Sequence, residues 1–418
     1  MSSLRRLSVD IDDPEIVHHL ERLARERGRL VSRGRAGVYG FGEAARLNLP
    51  KGLADLAGVR EAEAHLAAIP AENGAESAAP ALAIGALPFE PSAPSTLVVP
   101  RVAVVVRPEA AAAVATIVGL APHPGELEEL VGEPERSPRR RPPDRFSLVS
   151  ARPHADFLDR VEAAVAEIRT GRLDKVVLAR EVLVETNRPV LQGDVTERLL
   201  HLYPSCSVFA VDGFVGASPE LLVSRQQDQV ASHPLAGTMA RSGDAEVDGR
   251  LESALLSSAK ERAEHAAVVE AIGRALKLAV AELVVPAEPS IVELRNVAHL
   301  GTEIAGRLGG GRRPGVLELL SLLHPTPAVC GSPTEEALAY LSKVEDLDRD
   351  RYTGAVGWMD GSGDGQWHVG IRSAVVADDA MSLRLFAGAG IVADSDPETE
   401  LAETQLKLQA MLAAAVRP

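Results

Sequence analysis

The sequence predicts an α/β or α+β fold that forms one large domain over residues 1–418. Hydrophobic residues make up 46% of the chain and charged residues 25%, which is typical of a soluble globular protein. Short segments rich in Val, Leu and Ile, as in strands, alternate with segments of helical periodicity along the chain. Because no clean linker separates these segments into two groups, we expect a single domain.

Five segments are expected to be strands, because they are short and rich in β-branched and other apolar residues: 97–106, 175–184, 208–214, 369–376 and 382–386. In the segment 175–184 both alternating faces carry apolar residues. This pattern indicates a strand that is covered on both sides.

Five further segments are expected to be helices: 157–170, 253–284, 316–323, 333–344 and 397–415. Two of them have clear starts. Ser332, followed by Pro333 and Glu335, predicts an N-cap, a proline at the first helical position and the acid of a capping box. Asp396 and the proline after it predict a similar start for the last helix. The segments 71–80 and 122–145 are rich in Pro, Gly, Ser and charge, and are predicted to be loops.

The charge balance excludes several classes of protein. Lys and Arg total 44 against 59 Asp and Glu, a net charge of −15, which argues against nucleic-acid and anionic-membrane binding. The basic run at 139–141 is flanked by prolines and acids and is expected to be a solvated loop. Cys206 and Cys330 are too few for a disulfide framework. The first residues lack the apolar segment of a secretory signal, and charged residues interrupt the most hydrophobic stretch, 102–121, so we expect a cytoplasmic protein.

Three glutamates in the second half of the chain could hold a metal ion. Glu400 and Glu403 are three residues apart on the predicted last helix and share one face, and Glu264 lies within another predicted helix. Carboxylates without accompanying Cys or His motifs would suit a hard cation, of which Mg²⁺ is the natural choice. A surface ion pair between Glu403 and Lys407, at i and i+4, explains the same spacing without a metal.

Two residues could perform acid–base chemistry. Lys175 opens a predicted strand, where a partly desolvated lysine can lose its proton and act as a general base. Glu220 could be an acidic counterpart that an apolar setting keeps protonated.

Arg372 lies among small and apolar residues and is expected to need a carboxylate partner. The glycine-rich segment 387–390 would let a ligand approach the backbone, although a tight turn explains it equally well.

Read together, ten segments in this order along the chain resemble the chorismate-utilising enzymes. They cover nearly the whole chain: ALPFEPSAPSTLVVP (86–100), DKVVLARE (174–181), GASPELLV (216–223), HPLAGTMAR (233–241), KERAEH (260–265), VAHLGT (297–302), HPTPAVCGSP (324–333), RYTGAVGW (351–358), VGIRSA (369–374) and FAGAGIVADSDPETELAETQLK (386–407). The region 1–145 resembles the family less closely than the region 146–418, which would contain the active site.

The resemblance implies a curved, antiparallel β-sandwich-like core wrapped by helices, with the active site in a cleft. It implies chorismate as substrate and Mg²⁺ held by Glu264, Glu403 and Glu400. By motif position, Lys175 would activate water to attack C2 of the ring, and Glu220 would protonate the departing C4 hydroxyl. The remaining motif positions imply substrate-binding residues: Thr238, His299, Ala328, Tyr352, Arg372, Gly388 and Lys407.

Within the family, the resemblance favours the isomerisation of chorismate to isochorismate. Members that use ammonia generally lack a lysine at the position of Lys175, and aminodeoxychorismate synthases carry a nucleophilic lysine at the position of Ala236. The segment HPTPAV (324–329) is similar to those of siderophore and menaquinone pathway enzymes. Three alternatives remain open: a salicylate synthase that also eliminates pyruvate, an amidating synthase with a glutaminase partner, and a non-catalytic chorismate-binding protein. We expect a monomer without a glutaminase subunit.

Overall fold

The computed structural model describes residues 3–34, 36–72, 78–107, 113–132 and 142–416. The helices of this part of the chain are α1 (Pro14–Arg27), α2 (Leu56–Ala67), α3 (Gly125–Gly132), α4 (His154–Arg169), α5 (Gln192–Leu202), α6 (Ala245–Ser257), α7 (Ala259–Leu276), α8 (Val316–Leu323), α9 (Thr334–Val344) and α10 (Pro397–Val416). A short 3₁₀ turn covers Gly52–Ala54.

The strands, in chain order, are β1 (Arg5–Ile11), β2 (Arg29–Arg33), β3 (Ala36–Phe41), β4 (Ala45–Leu49), β5 (Leu82–Leu87), β6 (Ser95–Val99), β7 (Val102–Val106), β8 (Ala113–Gly119), β9 (Phe146–Ser150), β10 (Lys175–Thr186), β11 (Ser207–Val211), β12 (Phe214–Ser218), β13 (Leu221–Gln226), β14 (Gln229–His233), β15 (Leu235–Ala240), β16 (Glu282–Val284), β17 (Ser290–Glu293), β18 (Val297–Gly301), β19 (Ile304–Arg307), β20 (Gly331–Ser332), β21 (Ala355–Asp360), β22 (Gly365–Val369), β23 (Ser373–Val376) and β24 (Ser382–Ile391).

These strands form three antiparallel sheets. The first has 12 strands in the order β1-β8-β7-β3-β2-β11-β12-β23-β24-β10-β20, with β9 also paired to β10. The second has nine strands in the order β16-β19-β14-β13-β22-β21-β5-β6-β4, and the third is β15-β18-β17. The predicted mixed fold with an antiparallel core is therefore confirmed.

The two large sheets pack against each other, and helices cover their outer faces. Between the sheets, Phe209 and Phe214 of the first sheet pack with Ile84 and Val356 of the second, and the two phenylalanine rings lie 5.1 Å apart. The first sheet buries its other face beneath α1, α5 and α10. The second sheet is covered by α2, α7 and α8. The segment 175–184 is a strand, as predicted, and residues 175–179 are all buried.

Three predicted strands are interrupted where the chain turns. The segment 97–106 is two strands, because Pro100 breaks it and β6 and β7 belong to different sheets. The segment 208–214 is a hairpin whose turn, at Asp212 and Gly213, has positive φ angles of 48° and 78°. The segment 369–376 is broken before β23 by Arg372, whose φ is also positive at 50°. In contrast, β24 is longer than predicted, and the segment 387–390 lies within it rather than in a turn.

Each segment predicted to be helical contains a helix, but the predicted boundaries were less accurate. The segment 253–284 contains the end of α6, the whole of α7 and the strand β16, because the Ser258 side chain accepts the Glu261 N–H and begins a new helix. Helix α9 begins at Thr334, so its N-cap is Pro333 and not the predicted Ser332. The start of α10 is as predicted, since the Asp396 carboxylate accepts the backbone N–H of Thr399.

The predicted loop 122–145 contains α3. Parts of both predicted loops, 73–77 and 133–141, lie outside the described residues, and so does the basic run 139–141. In the portions of the chain that the structure covers, no helix is long and apolar enough to span a membrane.

The packing between the two large sheets predicts a strong dependence on its aromatic residues. Phe214 is fully buried between the two large sheets, so truncating its side chain leaves a cavity there. We expect Phe214→Ala to lower the free energy of unfolding by about 3–5 kcal/mol in a urea titration. Leu120 is 69% exposed, so the control Leu120→Ala should change it by less than about 0.5 kcal/mol. Equal effects of both substitutions would contradict this packing.

Candidate active site

All twelve site residues predicted from the sequence line one cavity. Its walls come from β10 and β24 of the first sheet, from β15 and β18 of the third, from α7 and α10, and from the segment between α8 and α9. The predicted residues that line it are Lys175, Glu220, Thr238, Glu264, His299, Ala328, Tyr352, Arg372, Gly388, Glu400, Glu403 and Lys407. Residues 232 positions apart in sequence, from Lys175 to Lys407, therefore meet in one place.

Lys175 is held at the start of β10 by an ion pair. It is 7% exposed, and its Nζ donates a hydrogen bond of 2.6 Å to Oε1 of Glu264. On the neighbouring strand β24, Gly390 leaves space for the lysine, because a Cβ atom there would lie 2.7 Å from Lys175 Cε. The absence of a side chain at Gly390 thus allows the lysine to enter the cavity.

Glu220 is a buried carboxyl group with one unpaired oxygen. It lies between β12 and β13, where the chain passes from the first sheet to the second, and is 3% exposed. Burial raises the pKa of Glu220 to about 8, although the backbone of Leu235 and the charge of Lys175 oppose the shift. Among the described residues, Oε1 of Glu220 has no hydrogen-bond partner. The group is therefore a protonated acid at neutral pH with a free oxygen.

His299 and Arg372 form a second buried unit in the cavity wall. Nη2 of Arg372 donates to Nε2 of His299 over 3.2 Å, and Nδ1 of the histidine lies 2.9 Å from the carbonyl oxygen of Gly237 and 3.2 Å from Oγ1 of Thr238. Burial lowers the pKa of His299 to about 3, and the charge of Arg372 adds to the shift. Because the arginine always donates, the neutral histidine carries its proton on Nδ1.

Among the described residues, Arg372 does not form the expected ion pair with a carboxylate, although the negative charge of Glu403 acts to raise its pKa. A buried guanidinium without such a partner is costly unless a ligand supplies the negative charge. The positive charge of Arg372 is therefore available to an anion that enters the cavity.

Tyr352 and Lys407 complete the polar lining of the cavity. The ring of Tyr352 stacks on Phe386 at 5.2 Å, and burial raises its pKa to about 12, so its hydroxyl remains a hydrogen-bond donor. A Cβ atom at Gly388 would lie 3.2 Å from this hydroxyl. Nζ of Lys407 donates to the carbonyl oxygen of Gly388 over 2.9 Å and contacts Oε1 of Glu403 at 2.5 Å, the i,i+4 ion pair foreseen in the sequence.

Four carboxylates from α7 and α10 crowd one end of the cavity. Besides the predicted Glu264, Glu400 and Glu403, the sequence analysis missed Glu261. Burial raises the pKa of Glu261, and the charges of Glu264 and Glu403 raise it further. Burial also raises the pKa of Glu400 against a hydrogen bond from Ser395. The charges therefore repel one another, and a cation among them would relieve this repulsion.

This donor set fits a divalent cation in its chemistry, because hard cations take carboxylate oxygens. Burial alone would raise the pKa of Glu403, but Lys407 holds it below its ordinary value, so this carboxylate is ionised. Glu264 is engaged with Lys175 and Glu403 with Lys407. In the part of the chain that is described, no three acidic, His or Cys side chains converge as they stand on a common point that a metal could occupy.

Several lining residues escaped the sequence analysis. Glu261 could have been found, since it lies three residues before Glu264 and so on the same helix face. Gly237 has a positive φ of 70°, and a Cβ there would lie 2.9 Å from Oε2 of Glu261, but a single glycine in a strand gives no such signal. The others are Val177, Pro219, Leu235, Lys260, Val329, Thr353 and Ile371. Ala236 and Gly390 also line the cavity, and both belong to segments already singled out in the sequence.

The cavity thus combines three chemical functions. Lys175 and the protonated Glu220 supply a basic and an acidic group. Arg372 and Lys407 supply positive charge for an anionic ligand within an acidic protein. This combination defines an enzyme site for a small carboxylate-bearing substrate on an antiparallel, helix-wrapped fold.

Comparison with known proteins agrees with that class. Residues 38–416 match the family described as chorismate binding enzyme, and the chain belongs to this family. The chain is 43% identical over 272 residues to isochorismate synthase DhbC of Bacillus subtilis (strain 168), which covers 62% of this chain and 67% of that protein. It is 34% identical over 352 residues to isochorismate synthase EntC of Escherichia coli (strain K12), covering 83% and 84%.

A solved structure shows the same fold over nearly the whole chain. The crystal structure of putative 2,3-dihydroxybenzoate-specific isochorismate synthase, DhbC from Bacillus anthracis, superposes with a TM-score of 0.76 and 33% identity. The match covers 96% of this chain and 98% of that one.

The burial of Glu220 predicts a titration that spectroscopy can follow. Because its pKa is raised to about 8, the carboxyl group is protonated at neutral pH and loses its proton as the pH rises through that value. Infrared difference spectra between about pH 6 and pH 10 should therefore show the loss of one protonated-carboxyl band. The band should be missing in Glu220→Gln. A Glu220 that is already ionised at about pH 6 would contradict this description of the site.

Proposed function

We propose that this protein is an isochorismate synthase, an isomerase that converts chorismate to isochorismate. The observation that carries the proposal is the meeting of Lys175 and Glu220 in one cavity with the basic side chains of Arg372 and Lys407. The names of the relatives support the same reaction. The reaction adds water at C2 of the ring and expels the hydroxyl at C4, with the double bonds of the ring shifting between them, so no atom is gained or lost overall.

Lys175 serves as the general base and Glu220 as the general acid. The lysine can remove a proton from the attacking water only in its neutral form. Its ion pair with Glu264 must therefore first break, and its ammonium group must lose a proton to solvent. Hydroxide is a poor leaving group, and the protonated Glu220 transfers its proton to the departing oxygen as the C4–O bond breaks. The two groups return to their starting protonation states when the proton moves back through solvent.

The carboxylates of chorismate determine how it lies in the cavity. Arg372 and Lys407, with the Tyr352 hydroxyl and the backbone near Gly388, bind the pyruvyl carboxylate side. Thr238, His299 and Ala328 line the ring. His299 remains neutral, so it fixes the guanidinium of Arg372 by accepting its hydrogen bond and adds no charge of its own.

Mg²⁺ is part of the proposal, with Glu264, Glu403 and Glu400 as its protein ligands and Glu261 beside them. When bound, the ion would neutralise the ring carboxylate and hold it in place. The support is the crowding of four carboxylates, whose mutual repulsion a divalent cation would offset.

The proposal includes a monomer that works in the cytoplasm without a glutaminase subunit. Cys206 and Cys330 are buried free thiols, which suits a reducing compartment. Ala236 lies in the cavity wall. By resemblance, aminodeoxychorismate synthases carry a nucleophilic lysine at this position, and an alanine cannot take that role. Water is therefore the nucleophile for which the site is equipped.

The direct test is to incubate the protein with chorismate and Mg²⁺ and to separate the products by chromatography. We expect isochorismate in a stable mixture with chorismate. Lys175→Ala and Glu220→Gln should each lower kcat by about 10²–10⁴-fold, because each removes one partner of the proton transfer. Circular dichroism should show both variants folded. Salicylate with pyruvate as products would indicate a lyase instead, and a normal rate in either variant would refute its assigned role.

The carboxylate cluster predicts a requirement for the cation. Removal of divalent ions with EDTA should abolish turnover, and Mg²⁺ should restore it, because the substrate carboxylate would otherwise face four glutamates. Glu400→Gln should raise the Mg²⁺ concentration needed for half-maximal rate. A matched control is Glu398→Gln, an exposed position in the first turn of the same helix, which should leave it unchanged. Full activity after exhaustive chelation would show that the cluster does not serve a metal.

A further inference from the structure

One edge of β10 is open next to the catalytic lysine. On this edge β20 pairs with Lys175 and Val176, and β9 pairs with the strand from Val182 onward. Next to these strands, the Val177 N–H donates to the carbonyl oxygen of Cys330 over 2.8 Å and the carbonyl oxygen of Glu181 accepts the N–H of Ala151 over 3.1 Å. Within the described residues, the stretch from the Val177 carbonyl to the Ala179 N–H therefore has a strand partner only on the other side, which is β24. Backbone groups at such a gap need partners, because unpaired buried N–H and C=O groups are strongly destabilising.

A buried ion pair fills this gap. Nη2 of Arg349 donates to the carbonyl oxygen of Val177 over 2.6 Å, and Oε1 of Glu345 accepts the backbone N–H of Ala179 over 2.7 Å. The two side chains also bind each other, at 2.6 Å from Nε to Oε2 and 2.7 Å from Nη2 to Oε1. They are 3% and 4% exposed. The pair thus takes the place of a missing stretch of strand.

The same guanidinium reaches two other walls of the cavity. Nη1 of Arg349 donates to the carbonyl oxygen of Val329 at 2.9 Å and to Oγ1 of Thr353 at 3.3 Å. Val177, Val329 and Thr353 all line the cavity, whereas Arg349 and Glu345 do not. All five N–H groups of the arginine are therefore used, and three separate segments of the wall are bound to one planar group.

We propose that Arg349 and Glu345 are a positioning pair that fixes the wall carrying Lys175 relative to the segments carrying Ala328 and Tyr352. The pair touches no substrate in the site as described, so its effect on the reaction is indirect. The pair binds the segment that carries Tyr352, but it does not bind the segments of Arg372, between β22 and β23, or of Lys407, in α10. Under the function proposed above, these two basic side chains are the charged groups that hold the substrate carboxylate. Loss of the positioning pair should therefore impair the chemical step more than substrate binding.

The test replaces the ion pair by an apolar pair of similar size, Arg349→Met with Glu345→Met. A buried ion pair can often be replaced in this way without loss of stability, whereas removing one partner leaves an unpaired charge. Here the backbone groups of Val177, Ala179 and Val329 also lose their partners, so the free energy of unfolding of the double variant should be lower than that of wild type. We expect a folded double variant whose kcat falls about 100-fold, as for a misplacement near 1 Å, while KM changes less than about threefold. The control is Arg60→Met with Glu318→Met, an ion pair of 2.8 Å that does not line the cavity and whose glutamate also binds Arg312, and it should keep the wild-type kcat.

A second measurement does not depend on the proposed function. Hydrogen exchange of the backbone amides in 175–181 and 326–332 should become at least about tenfold faster in the double variant, and exchange elsewhere should stay the same. If the wild-type chain does not convert chorismate, the proposed function fails and this measurement alone decides on the positioning pair. Unchanged exchange in both segments would overturn the inference.

The conservative variant Arg349→Lys covers the case in which the apolar pair does not fold. A lysine keeps the charge but has a single nitrogen, so it cannot reach Glu345 and all three wall segments together. We expect a folded protein with kcat between those of wild type and double variant. A wild-type kcat in a folded Arg349→Lys or double variant, or failure of both to fold, would contradict a positioning role.

Discussion

The close pairing of β10 with β24 is the constraint on which the rest of the site depends. The two strands pair over ten successive residues, from Val176 with Ile391 to Glu185 with Ser382. This pairing brings Lys175 beside Gly390 and brings Gly388 beneath the Tyr352 hydroxyl. A side chain at either glycine would occupy space that a functional group needs, so the backbone of β24 forms part of the cavity floor.

Burial gives each polar group in this cavity a defined charge. Glu220 is neutral because it is buried with an unsatisfied oxygen, and His299 is neutral because it is buried beside Arg372. Arg372 and Lys407 supply basic side chains, and the carboxylates of α7 and α10 lie in the same cavity, where Glu403 contacts Lys407. A dianionic substrate is thereby oriented within a protein whose net charge is −15. Local arrangement, and not overall charge, determines what the site attracts.

Much of the site could be predicted from the sequence because its residues lie in short local motifs. Lys175, Glu220 and Arg372 each stand in a segment whose neighbours are also characteristic, so their place in the cavity followed from motif order. Arg349 and Glu345 could not be found in this way, because their partners at Val177 and Val329 lie 172 and 20 residues away from Arg349. Their role depends on a gap in a sheet, and strand pairing is a property of the folded chain.

The fold itself was predictable in class and less so in detail. Apolar segments predicted strands at 97–106 and 208–214. Hydrophobicity alone does not show that the chain crosses from one sheet to the other at Pro100 or reverses at Gly213. The Asp396 cap was recognisable because its hydrogen bond to Thr399 is local. In contrast, the segment 387–390 has the glycine content of a turn but lies within a strand. Its glycines are in close contact with residues of β10 and, at Gly388, with Tyr352, and these contacts are not visible in the sequence.

The central claim is that Lys175 activates water to attack the ring while Glu220 releases the C4 hydroxyl. Turnover of chorismate in ¹⁸O-labelled water, with mass spectrometry of the first isochorismate formed, tests this most directly. The account predicts one ¹⁸O atom in each product molecule, at the C2 hydroxyl. Isochorismate that forms without ¹⁸O would show that the hydroxyl migrates within the substrate, and would contradict the base and acid roles together.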